Sequence, residues 1–118
     1  MVKKYDIVLV KLDPTTGAEK RGTRPCLVLQ NNITNASKLQ TVTLAPFTTH
    51  NRDFPSMQLV TPSVINGIKE GSSVDLSQIR TVDRNRILKT IGRLESKYFV
   101  AISIKINDFL DLSDKYLD

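Results

Sequence analysis

Residues 13–25 place two carboxylates, a lysine and two arginines in one connection: Asp13, Glu19, Lys20, Arg21 and Arg24. The connection lies between two apolar runs, Ile7-Val8-Leu9-Val10 and Cys26-Leu27-Val28-Leu29, that both read as buried strands. A plain hairpin needs about two to five residues, so this loop is longer than the turn requires. Long loops on a rigid sheet are where function concentrates. A guanidinium fork matches the oxygens of a phosphate, and a polycationic loop therefore points to a polyanion, nucleic acid first.

A second basic stretch agrees. Residues 80–93 carry Arg80, Arg84, Arg86, Lys89 and Arg93 against Asp83 alone. Residues 95–118 reverse the sign, with Glu95, Asp108, Asp111, Asp114 and Asp118 against Lys97, Lys105 and Lys115. The positive field belongs to the sheet and its loops. Each of these residues also has a plainer reading. Arg24 could pair with Glu19 or Asp13 as a surface ion pair. Asn31 and Gln78 could read base edges, or cap and bond the backbone as polar residues beside strands commonly do. Arg80, Arg84 and Arg86 fit RNA phosphates or a solvated face. Asp83 reads as a turn cap, Cys26 as a small core residue, and His50 as a solvent-exposed loop histidine.

The bulk numbers narrow the class. The chain has 118 residues, read as one domain over 1–118, with a net charge of +5 and an isoelectric point near 9.5. There is no Trp, and aromatics make up 6%, which argues against a broad base-stacking platform. One Cys and one His leave no disulfide and no common zinc framework, so neither a metal nor a cofactor is expected. No apolar run reaches the ~18 residues of a membrane span, and the opening residues have no apolar segment of the signal-peptide kind. The expectation is a soluble cytoplasmic protein with no membrane partner.

The elements that must position these residues are mostly strands. Residues 6–12 alternate as a first strand, and the second begins after Pro25. Residues 32–37 are turn-like, with at most a helical turn. Thr41-Val42-Thr43-Leu44-Ala45 is a third strand, with Pro46 as its stop. Met57-Gln58-Leu59-Val60 is a fourth. Residues 73–76 and 79–82 form one or two short strands, and residues 87–94 continue the sheet. Residues 96–112 contain no Gly or Pro and are too long for a strand, so they are read as a terminal helix with Ser96 as its N-cap. The fold class is mainly β with a C-terminal helix, and partial closure of so small a sheet removes exposed edges.

The loop, extended over Asp6-Ile7-Val8-Leu9-Val10 and Leu27-Val28-Leu29-Gln30-Asn31, resembles the MazF/PemK family of toxin ribonucleases. Three further segments agree in order: Val42-Thr43-Leu44-Ala45-Pro46-Phe47-Thr48, then residues 71–83 around Ser77-Gln78-Ile79-Arg80-Thr81-Val82-Asp83, then Ile91-Gly92-Arg93-Leu94. The resemblance implies a small SH3-like, partly open β-barrel that forms a homodimer. It implies a sequence-specific, metal-independent endoribonuclease acting on single-stranded RNA. It also implies an antitoxin whose acidic, partly disordered segment covers the RNA groove. Carried onto this chain, the family's catalytic Arg and Thr fall on Arg24 and Thr48, and its loop Glu on Glu19. Beside these, the polar and basic residues of the loop and strand ends, Lys20, Arg21, Thr23, Asn31, Thr49, Ser77, Gln78, Arg80, Arg84 and Arg86, form the expected RNA-binding set. Two departures stand out. Some relatives have an Arg and an Asp in the fourth motif, where this chain has Asp75 and Ser77. The usual Glu-Gln of the loop is Glu19-Lys20 here.

The chemistry such a site must do is set by the substrate. RNA supplies its own nucleophile, the 2′-OH, and attack on the adjacent phosphorus gives 2′,3′-cyclic phosphate and 5′-OH ends. Arg24 suits the accumulating phosphate charge, and Thr48 can donate its hydroxyl to a phosphate oxygen. The proton acceptor stays open between Glu19, Arg24 and a water molecule. Two other functions remain: a toxin of the same fold, like the CcdB toxins, that poisons a protein target such as DNA gyrase, and a basic barrel that binds RNA without cutting it.

Overall fold

A computed structural model describes residues 1–13, 16–19 and 22–113. It contains strands β1 (Asp6–Lys11), β2 (Thr23–Val28), β3 (Thr41–Thr48), β4 (Met57–Val60), β5 (Ser72–Asp75), β6 (Arg80–Asp83) and β7 (Ile87–Arg93). Two helices accompany them, the single turn α1 (Asn32–Asn35) and the terminal α2 (Phe99–Leu110). The strands form one antiparallel sheet in the order β4-β5-β3-β2-β1-β7, with β6 on β3. It is a mainly β fold with one C-terminal helix, and the sheet is partly open rather than sealed.

β3 organises the sheet because it changes partners along its length. Residues Thr41 to Leu44 pair with β6, Leu44 to Pro46 pair with β2, and Phe47 and Thr48 pair with β5. Pro46 therefore does not stop the strand, as the sequence suggested. It lies at the change of partner, where a residue with no N–H is tolerated. Pro25 likewise lies inside β2, opposite Leu9, on the stretch that only β1 pairs. Residues 73–76 and 79–82 prove to be two strands, β5 and β6, split by a 3-10 turn, Leu76–Gln78.

The central strands bury both faces, which explains their unbroken apolar runs. One face holds Ile7, Leu27, Ala45 and Phe47, packed with Val74 and Leu76 and covered by Ile102 of α2. The other holds Val8, Val10, Cys26, Val28, Val42 and Leu44. Odd and even positions of each strand thus enter different cores, as the two-residue period requires. Tyr5 stacks on Phe99, ring centroids 3.9 Å apart, and ties the start of β1 to α2. Ser96 is not the cap of α2: it opens a 3-10 turn, Ser96–Tyr98, and the helix begins at Phe99 without a side-chain cap. Asp83 does cap, accepting from the Asn85 N–H at 2.8 Å.

A tight turn over residues 63–67 is pressed against β7. Asn66 is fully buried and fully used. Its Oδ1 accepts from the Ser63 and Ile68 N–H groups, and its Nδ2 donates to the Thr61 carbonyl and to Glu95 Oε1. Gly67 has a φ of +70°, and a Cβ there would stand 2.2 Å from the Ile91 carbonyl oxygen. Gly92 meets the same turn from the other side, where a Cβ would stand 2.4 Å from the Asn66 carbonyl. Only glycine admits this approach.

Glu95 fastens the turn. Burial pushes its carboxyl pKa up, but hydrogen bonds from Asn66 and Ser63 outweigh burial and hold it below the ordinary glutamate value. A carboxyl depressed in the folded state adds stability above its unfolded pKa and loses it as pH falls through the folded value. Glu95→Gln is therefore expected to be less stable than the native chain at pH 7. The gap should close on acidification below the ordinary glutamate range, as read by urea midpoints at several pH values. A gap that is constant with pH would overturn the account.

Candidate active site

The β2–β3 ladder ends at the pair Cys26↔Pro46. Beyond it one strand offers Arg24 and Pro25, the other Phe47 and Thr48, and neither proline has an N–H to extend the ladder. β2 stays on β1, while β3 turns to β5. The strands splay, and Arg24 spans the opening by donating from Nη1 to the Phe47 carbonyl at 3.4 Å.

Thr48 sits opposite Ser73 of β5 and is 3% exposed. Its Oγ1 accepts from the His50 N–H at 3.1 Å, which leaves the hydroxyl hydrogen as a donor. The turn after it is held by Asn51, whose Oδ1 accepts from Ser73 Oγ at 2.6 Å. Arg24 and Thr48 are thus carried by paired strands and a fixed turn, the preorganisation that charge stabilisation needs.

Two hollows meet at this pair. The larger, about 770 Å³, has an apolar floor of Leu9, Pro25, Phe47, Ile68 and Ile91, with Lys69 and Lys89 beside Arg24. Thr23 and Thr49 also line it. Its far wall, Ile68 to Glu70, follows directly from the turn pressed on β7. The smaller hollow, about 330 Å³, adds His50, Arg52, Phe54, Asp75, Ser77 and Gln78 to Arg24 and Thr48.

The structure therefore brings together Thr23, Arg24, Thr48, Thr49, Ser77 and Gln78 from the expected set. It sets others apart. Glu19 does not line either hollow; its carboxylate accepts from the Thr16 N–H of its own loop at 2.8 Å. Asn31 caps α1, accepting from the Thr34 N–H at 2.9 Å. Arg84 is a structural staple: Nε donates to the Leu39 carbonyl at 2.7 Å and Nη2 to the Asn35 carbonyl at 2.9 Å. Arg86 donates to the carbonyls of Lys11 and Asp13, and closes the root of the 13–25 loop together with a bond from the Gly22 N–H to Asp13 Oδ1. Arg80 is half-buried on β6 opposite Leu44 and lines neither hollow. Lys20 and Arg21 lie outside the described residues. Among the described residues, no cluster of three His, Cys, Asp or Glu side chains could hold a metal.

Several lining residues escaped sequence reasoning. Lys89 was legible in principle, since it alternates with Ile91 and pairs with Leu9. Lys69 carries no local signal, because only the glycine contact with β7 places it. Cys26, two residues after Arg24, is a core thiol. Burial pushes its pKa up to about 12, against the opposing charges of Arg80 and Arg24.

The comparisons with known proteins fit this geometry. A family model described as "PemK-like, MazF-like toxin of type II toxin-antitoxin system" matches residues 3–110. The chain belongs to that toxin family. Endoribonuclease EndoA of Bacillus subtilis is 30% identical over 122 residues, covering 100% of this chain and 98% of that protein. Endoribonuclease MazF9 of Mycobacterium tuberculosis is 26% identical, covering 95% and 98%. The solved structure of Mycobacterium tuberculosis toxin MazF-mt6 superposes with a TM-score of 0.76 at 25% identity, covering 90% of this chain and 96% of that one. Among the described residues of this toxin, no helix is long and apolar enough to cross a membrane.

The reassigned arginine makes a sharp expectation. Arg84→Ala removes two bonds to backbone carbonyls, which costs about 1–3 kcal/mol where acceptors are left unsatisfied. Chemical denaturation should show that loss, while the affinity for a polyanion such as heparin stays within about twofold of native. A weakened polyanion affinity with unchanged stability would return Arg84 to the binding face.

Proposed function

We propose that this toxin is a sequence-specific endoribonuclease that cuts single-stranded RNA by 2′-OH attack. The observation that carries the reading is the pairing of Arg24 and Thr48 at the splayed strand ends, between two hollows that a single strand can cross. The relatives named endoribonuclease support it. The 2′-oxygen attacks phosphorus, the bond from phosphorus to O5′ breaks, and the products carry 2′,3′-cyclic phosphate and 5′-OH ends. Arg24 offers a fork of donors to the phosphate oxygens as negative charge accumulates. Thr48, its oxygen already occupied by the His50 N–H, donates its hydroxyl to the same group. No metal enters this scheme. The 2′ proton leaves to Glu19, Arg24 or a water molecule, and a water molecule protonates the departing O5′.

The same reading includes a homodimer in the cytoplasm and a cognate antitoxin. One of the matching structures, with a TM-score of 0.78 at 19% identity, is titled an endoribonuclease in complex with its cognate antitoxin from Mycobacterial species. An acidic antitoxin segment suits Arg24, Lys69 and Lys89 of the larger hollow and would exclude RNA by occupying it.

The test is incubation of antitoxin-free protein with a long single-stranded RNA in excess EDTA, with the ends mapped. Cuts at a repeated short sequence, with cyclic phosphate termini, are expected. Arg24→Ala should lower the cutting rate by about 10²–10³, the loss typical of one missing donor to transition-state charge. Its RNA affinity should fall by less than about tenfold, the change expected from one phosphate contact. Intact RNA from folded native protein would sink the reading in favour of a protein target. Equal losses of binding and cutting would reduce Arg24 to a contact.

A further inference from the structure

The smaller hollow contains a carboxylate that the cleavage scheme does not use. Asp75 ends β5 and is 6% exposed, yet it lines the hollow shared by Arg24 and Thr48. Its Oδ1 is saturated, accepting from the Ser77 N–H at 3.1 Å and from Ser77 Oγ at 2.5 Å. Its Oδ2 has no hydrogen-bond donor among the described residues. A buried acceptor without a partner is costly, and a carboxylate more so than a neutral group. Asp75 caps the 3-10 turn Leu76–Gln78 through Oδ1, and Oδ2 is left for a donor that a ligand in the hollow can supply.

The rest of the hollow identifies the donor's chemistry. Phe54, 54% exposed, and Met57 also line the hollow, an aromatic and a thioether on which a base can pack. Arg52 and Arg24 supply cations for the flanking phosphates. At about 330 Å³ the space suits one unstacked nucleobase. An ionised carboxylate accepts only. It favours a base that presents an amino group, such as cytosine at N4. It disfavours uracil, whose single N–H on that edge is flanked by two carbonyl oxygens that a carboxylate repels.

We propose that Asp75 is a specificity residue that reads the amino group of a base beside the scissile phosphate and rejects uracil there. The inference rests on the RNA-cleaving reading but concerns which base is chosen. Asp75→Asn is the informative change, because the amide oxygen can still accept from Ser77 while its NH2 replaces Oδ2 as a donor. The preference should then turn toward the O4 carbonyl of uracil.

The experiment measures binding, not cutting, with fluorescent hexamers of 2′-deoxycytidine or 2′-deoxyuridine, which lack the nucleophile. The native protein is expected to bind the cytidine hexamer about tenfold more tightly, the equivalent of one charge-assisted hydrogen bond. Asp75→Asn, checked for an unchanged melting temperature, should erase or reverse that ratio. A melting temperature lowered by the substitution would be met with Asp75→Ser at the same readout, where the ratio should also fall. Equal native affinity for the two hexamers, or a ratio that survives both substitutions, overturns the role of Asp75 and leaves the ribonuclease reading standing. Failure of native protein to bind either hexamer overturns the role of Asp75 too, and the ribonuclease reading then stands or falls on the cutting of long RNA in EDTA.

Discussion

The hydrogen-bond ladder between β2 and β3 stops at Cys26↔Pro46, and the candidate site follows from that stop. Two strands that continued in register would bring Arg24 and Thr48 into a flat sheet with no space between them. Because β3 changes partner from β2 to β5, the strands part while each stays bonded on its other side. The opening is therefore stiff, since each lip keeps its own ladder and Arg24 bridges the two through the Phe47 carbonyl. Pro25 and Pro46 are placed where a missing N–H removes nothing that the open geometry would use.

The second constraint is the turn at residues 63–67. A buried asparagine with all its polar atoms engaged makes this turn a rigid block. Gly67 and Gly92 let that block touch the β7 backbone directly. The far wall of the larger hollow is thus held by main-chain contact on one side and by Glu95 on the other. The two walls of the site arise from different devices: a ladder that ends, and a loop that cannot move away.

Much of this was legible in the residues. The strands at Ile7-Val8-Leu9-Val10 and Cys26-Leu27-Val28 announced themselves through period and β-branching. The terminal helix was set by length. Both prolines read as strand boundaries, because a single sequence does not show that a strand can run through a proline where one edge is unpaired or changes partner. Arg24 and Thr48 stood out only together with the family pattern. Arg84 and Arg86 looked like phosphate contacts because a basic run has the same composition whether its guanidiniums face solvent or grip carbonyls. Asn31 and Glu19 read as ligand-facing groups or as local caps alike, and in the structure their oxygens serve backbone N–H groups close by in the chain. Lys69 was out of reach, since its place depends on a long-range glycine contact.

The root of the 13–25 loop has a consequence of a different kind. Asp13, Gly22 and Arg86 close it with bonds that do not involve the residues between. Closure entropy rises only slowly with the number of residues enclosed. The span between can thus lengthen, shorten or change charge over evolutionary time with little effect on the strands it joins. A chain built this way can change the length and charge of this connection without renegotiating the stability of the strands it joins.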